Sequence, residues 1–144
     1  LGVWRQHASI TKALFVLRHP YEVARSMRAA YGLPAWIGYV FWHRQVSDFL
    51  RAAVDVPLVM VRYEAFFDSL TRLSEMDRLC GFLERPLQPD GEQSALLRSL
   101  DVHLRHQIAP AKCALPEQVR SMWERLSGFW RRHSSLRRFD PGAS

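Results

Sequence analysis

Glycine is sparse and scattered: the seven glycines stand at positions 2, 32, 38, 81, 91, 128 and 142. A loop that cradles phosphates through backbone N–H groups needs clustered glycines followed by a lysine. Lysine occurs only as Lys12 and Lys112, and neither follows a glycine in that pattern. No P-loop is therefore written in this chain. The two cysteines, Cys80 and Cys113, form no CxxC pair. That excludes a disulfide framework and implies a reducing, cytoplasmic setting. The six histidines show no HxxxH and no His/Cys cluster, which argues against a metal site. No apolar run reaches the ~18 residues that would span a bilayer, and no internal repeat is present.

Hydrophobic residues make up 48% of the 144 and aromatics 12%, enough for one domain with a real core. The net charge is +6, and all but two of the 20 basic residues are arginine. Arginine suits bidentate recognition of phosphate and carboxylate, and a basic surface favours an anionic ligand. For most of these residues a general arginine bias is the preferred explanation. The chain opens at Leu1 with LGVW running straight toward a strand, so a cut or partial chain is expected. Residues 1–130 read as part of a single domain and residues 131–144 as a basic, fraying tail.

Residues 13–17, ALFVL, are apolar at every position, as in a strand buried on both faces of a parallel sheet. Pro20 fits the first position of a helix, Glu22 complements its dipole, and Val23, Met27, Ala30 and Tyr31 share its face. Gly32 and Pro34 break that helix. A second helix carries the stripe Tyr39, Trp42, Val46, Phe49, Leu50 and Ala53. Residues 58–61, LVMV, predict a second strand, and the order strand, two helices, strand predicts a parallel α/β sheet. Asp68-Ser69 can cap a third helix with Leu70, Leu73, Met76, Cys80 and Leu83 buried. Turn chemistry follows over 85–92, then a short helix over 93–100 and an irregular stretch over 101–115. A last helix opens at Pro116-Glu117, with Val119, Met122, Trp123, Leu126, Phe129 and Trp130 on one face.

Ligands of open α/β sheets bind outside the carboxyl ends of the strands. Two places qualify, Arg18 after the first strand and Arg62-Tyr63-Glu64 after the second. The helix N-terminus beside Arg18 adds oriented N–H groups that favour an anion.

The segment FVLRHPYEVARSM resembles the 3′-phosphate-binding segment of the sulfotransferase family: a strand, an arginine, a proline two residues on, and a helix bearing a serine eight residues after the arginine. Arg18, Pro20 and Ser26 match it. The resemblance implies that Arg18 and Ser26 bind the 3′-phosphate of 3′-phosphoadenosine 5′-phosphosulfate, a role suited to a guanidinium fork and a hydroxyl. VMVRYEAFFDS resembles the family's strand ending in Tyr-Glu, which implies that Tyr63 lies near the adenine. The helix after it usually closes with Phe-Leu-Gly and here ends GFLE, so Glu84 departs from the glycine. Trp42 occupies a helix where many bacterial members carry a tryptophan. HLRHQ resembles a basic stretch of bacterial members, from which Arg105 could reach a phosphate. The likeness covers most of residues 10–130. It implies a sulfotransferase-like parallel-sheet nucleotide fold, incomplete and helix-rich. It also implies sulfate transfer by a full-length parent to an acceptor that no residue here names. The family's 5′-phosphosulfate loop and usual catalytic base lie upstream of these matches. This polypeptide alone is therefore expected not to transfer sulfate, and to be poorly soluble through an exposed sheet edge.

Other readings stand beside these. Arg18 can be a structural arginine pairing with Glu22 or capping carbonyls. Ser26 can be a small residue at a helix contact, because it lies roughly 9 Å of helical rise beyond the start of the helix. Tyr63 can be a core aromatic, and Glu64 can cap the next turn. His19 and His106 are acid/base candidates by residue type. At the level of function, the rival is a basic nucleic-acid- or anion-binding module. Against nucleic acid stand the dispersal of the arginines and the lack of a recognised motif.

Overall fold

A computed structural model describes residues 6, 7, 9–85, 109, 110 and 113–132. The two apolar runs form the expected strands, β1 (Ala13–Leu17) and β2 (Leu58–Arg62). They pair in parallel with Ala13 opposite Leu58 and Leu17 opposite Arg62. The ladder continues at both ends, where Ala13 N donates to Pro57 O at 2.8 Å and Tyr63 N donates to Leu17 O at 2.9 Å. The chain crosses between the strands through two helices, α1 (Pro20–Tyr31) and α2 (Ala35–Ala52). A 3-10 turn (Glu64–Phe67), α3 (Arg72–Phe82) and α4 (Glu117–Arg132) complete the described elements. The architecture is mixed α/β, built on a two-stranded parallel sheet. Among the described residues no helix is long and apolar enough to cross a membrane.

Local chemistry sets the boundaries. Pro20 occupies the first turn of α1, where a missing N–H costs nothing. Gly32 ends the helix at φ 67°, the left-handed conformation that glycine adopts without a steric penalty. Beyond α3, Glu84 takes φ 57°, the left-handed region that favours glycine. Its carboxylate reaches Lys12 Nζ at 2.6 Å. The helices α1 and α2 approach closely at one point. A Cβ on Gly38 would stand 2.5 Å from the Cα of Ala24, so only glycine admits this contact.

The main core lies on the sheet face covered by α2 and α4, where Leu17, Leu58 and Met60 meet Trp42, Val46, Leu50, Val119 and Leu126. The helical stripes of α2 and α4 thus bury as their spacing predicts. On the opposite face α3 covers Val59 and Val61 with Phe82 and Leu79.

Four expectations need correction. β1 is not buried on both faces: Leu14 and Val16 are 40% and 48% exposed, because the cover of α3 falls on their partners in β2. In α1, Ala30 and Tyr31 are exposed, and Pro20, Glu22 and Ala24 are buried. Of the leucines expected on the buried face of α3, Leu73 is exposed, Leu70 and Leu83 are exposed beyond its two ends, and the inward positions are Glu75, Met76 and Phe82. Asp68 does not cap α3 either. Its carboxylate accepts from Leu70 N at 2.9 Å, closing a turn ahead of the helix. The readings of residues 86–108 lie outside the described residues, as does the tail beyond Arg132, where α4 ends.

Candidate functional site

Arg18 follows β1 and Arg62 closes β2, and the parallel pairing brings the loops at these two strand ends side by side. The tie between them is direct: His19 N donates to Glu64 Oε1 at 2.8 Å, across 45 residues of sequence. The Arg18 carbonyl accepts from Trp42 Nε1 at 3.0 Å, which fixes the first loop to α2. Glu64 therefore holds the loops together instead of capping the following turn.

Arg18 and Tyr63 converge here. The guanidinium carbon of Arg18 stands 4.7 Å from the centre of the Tyr63 ring, within cation–π range. The ring is half-buried and packs against Phe67 at 4.9 Å, so Tyr63 is a wall of the loop cluster and not a core aromatic. Arg18 also pairs with Glu22: its Nε lies 3.4 Å from Oε2, with the Arg18 side chain 27% exposed and that of Glu22 fully buried. The terminal nitrogens of Arg18 have no hydrogen-bond partner among the described residues. The other Glu22 oxygen accepts from Ala109 N at 3.1 Å. Ser26 is half-buried two turns into α1. Arg18, Glu22 and Ser26 follow one row at intervals of four, so Glu22 stands between the other two. No hydrogen bond joins Arg18 to Ser26 among the described residues. Arg105 and His106 lie outside the described residues.

His19 has a defined tautomer. Its Nδ1 accepts the Tyr21 N–H at 3.2 Å as the cap of α1, so the neutral ring carries its proton on Nε2. That nitrogen lies 3.9 Å from Cys113 Sγ, and the ring meets Trp123 edge-on at 4.6 Å. Burial lowers the His19 pKa below the ordinary 6.5. The carboxylates of Glu64 and Glu22 oppose that shift and Arg62 adds to it. A ring held this way serves as a donor from Nε2, not as a base there.

Arg62 mirrors Arg18 at the second strand end. Its Nε lies 3.4 Å from Glu64 Oε2, and its guanidinium lies over Trp123 and Trp130 at 5.3 and 5.0 Å. Behind it, buried Glu75 accepts from Arg62 N, Trp130 Nε1 and Arg78 at 2.7 Å each. Each strand-end arginine is thus balanced by a carboxylate. The expected pairing of Arg18 with Glu22 is present, whereas sequence reasoning missed that Glu64 ties the two loops together. The signal for Glu22 was its place four residues after Arg18. No comparable signal existed for Trp123 or Cys113, which arrive from the far end of the chain.

A cavity of about 530 Å³ opens beside His19, Cys113 and Trp123. Another of about 510 Å³ lies between α2 and α4, over Leu50, Met122 and Leu126. Neither is lined by Arg18, Ser26 or Tyr63. Among the described residues no group of three His, Cys, Asp or Glu side chains could hold a metal ion. Comparison with protein-family models, with curated proteins and with solved structures finds no match for this chain.

Proposed function

We propose that this chain forms the 3′-phosphate half of a sulfotransferase-like nucleotide site. Its ligand in this reading is 3′-phosphoadenosine 5′-phosphosulfate or adenosine 3′,5′-bisphosphate, the nucleotide left when sulfate has been transferred. The observation that carries the reading is the convergence of Arg18 and Tyr63 from two strand ends, a charged donor set beside an aromatic ring. Arg18 presents its terminal nitrogens to the 3′-phosphate. Ser26 adds a hydroxyl from α1, Tyr63 supplies a surface for adenine, and Arg105 contributes further positive charge. The buried pairing with Glu22 supports the structural reading of Arg18 as well, and the two roles are compatible because they use different nitrogens. None of these residues holds the 5′-phosphosulfate, so the proposal covers nucleotide binding and assigns no catalytic group. The sulfate acceptor is left open.

Calorimetric titration with adenosine 3′,5′-bisphosphate tests this, with adenosine 5′-monophosphate as the comparison. Arg18→Ala is expected to cost about 1.5–3 kcal/mol, or roughly tenfold to a hundredfold in affinity. Equal binding by the wild-type protein and Arg18→Ala, or no preference for the 3′-phosphate, overturns the reading. The charge of +6 keeps polynucleotide binding as the rival. Binding of a random oligonucleotide that weakens steeply with salt would favour it.

A further inference from the structure

We propose that the tip of the α1–α2 hairpin docks on an anionic lipid surface. Its residues take no part in the nucleotide reading.

Four large apolar side chains stand out at this tip. Tyr31 ends α1, residues 32–34 make the turn, and Trp36, Val40 and Phe41 follow in the first two turns of α2. They are between 46% and 73% exposed. The inward row of α2 is Gly38, Trp42, Val46 and Leu50. Trp36 and Val40, four residues apart, therefore share the side turned away from the core. Neither cavity described above is lined by any of the four. Exposed side chains of this kind suit a soft apolar layer, whereas the anchors of a protein partner seek pockets. A hairpin entering tip first carries Trp36 to Phe41 through about 7.5 Å of helical rise. That matches the ~5–10 Å to which interfacial helices enter the headgroup and acyl boundary. Tyrosine and tryptophan, apolar with one polar end, are suited to that boundary.

The charge around the tip names the lipid. From Val23 to Ser47 the chain has three arginines, Arg25, Arg28 and Arg44, and no acidic residue. Arg28 is exposed in the last turn of α1. Arg44 continues the row of Trp36 and Val40, and its side chain is 80% exposed. It shares Asp48 with Arg51, which leaves one positive charge in excess on that stretch of α2. Cations thus flank the apolar tip on both helices, and the whole chain carries +6. That pattern complements anionic headgroups. A second copy would present the same arginines and be repelled.

Cosedimentation of the full chain with vesicles tests this, using phosphatidylcholine alone and an equal mixture with phosphatidylglycerol. Binding is expected to the mixed vesicles and not to phosphatidylcholine alone, and it should weaken as salt rises. Trp36→Ser combined with Phe41→Ser should lower the partition roughly tenfold or more. Arg44→Gln should lower it about fivefold. Brominated lipids should quench part of the tryptophan fluorescence, and Trp36→Phe should abolish that quenching. The substituted side chains are exposed, and a thermal melt establishes that each variant is folded. Should the double variant not fold, Trp36→Phe and Arg44→Gln decide the matter. No binding to the mixed vesicles, equal binding to both kinds, or binding by the folded double variant equal to wild type overturns the proposal. So does quenching that persists in Trp36→Phe. A concentration-dependent dimer in place of vesicle binding, dissolved by the double substitution, would overturn it in favour of an interface between copies.

Discussion

Protonating His19 would remove the acceptor that holds the first turn of α1, because Nδ1 can take the Tyr21 N–H only while it is unprotonated. Burial already keeps its folded pKa below 6.5, whereas the unfolded chain binds that proton at about 6.5. Between the two values the unfolded state holds more protons, so stability falls as pH drops. The contribution is complete above the unfolded value and is lost as pH falls through the folded one. Thermal melts from pH 7.5 to 5 should show Tm declining by a few degrees. His19→Asn, which retains a capping side chain, should flatten that decline; an identical slope in both proteins would show that the histidine is not its source. Composition could place His19 beside Arg18 and suggest acid/base chemistry. It could not show the ring turned into a cap, since the partners that bury it include Cys113, 94 residues away.

At the scale of elements, regular apolar spacing made β1, β2 and the stripes of α2 and α4 legible. The stripe fails for α3, where a carboxylate occupies an inward position and Leu73 faces out. Glu75 turns inward because three donors wait there, and donors from distant segments leave no trace in a hydropathy pattern. Gly38 presents the opposite case, a small residue whose reason appears only in packing. Alanine there would gain about 1 kcal/mol of helix propensity. It would also force Cβ to 2.5 Å from the Ala24 backbone, and overpacking of this kind costs about 1–3 kcal/mol. Gly38→Ala is therefore expected to lower Tm by several degrees. A rise in Tm would mean that the α1–α2 contact is looser than described.

For the molecule as a whole, Glu75 joins β2, α3 and α4 through Arg62 N, Arg78 and Trp130. Glu75→Ala leaves a backbone N–H, an indole N–H and a guanidinium without their common acceptor. Removing one partner of a buried ionic cluster costs about 3–5 kcal/mol. Urea denaturation followed by tryptophan fluorescence should register a loss of that size, and a loss under about 1 kcal/mol would contradict the clamp. About half of the candidate site could be read in advance. Arg18, Tyr63 and Arg62 sit at strand ends, a position that the strand pattern fixes. Of the carboxylates that balance them, Glu22 could be read from its place four residues after Arg18, whereas the role of Glu64 depends on which loops the parallel pairing brings together.

The loop cluster draws on residues 18–22 and 62–64, on Ala109 and Cys113, and on residues 123–130, and its ties span 45, 87 and 94 positions of the chain. No short peptide cut from this sequence carries it. Long closures carry a high entropic cost, so the cluster is complete only when the whole fold is. A ligand that enters only the finished arrangement stabilises the whole fold in proportion to its occupancy.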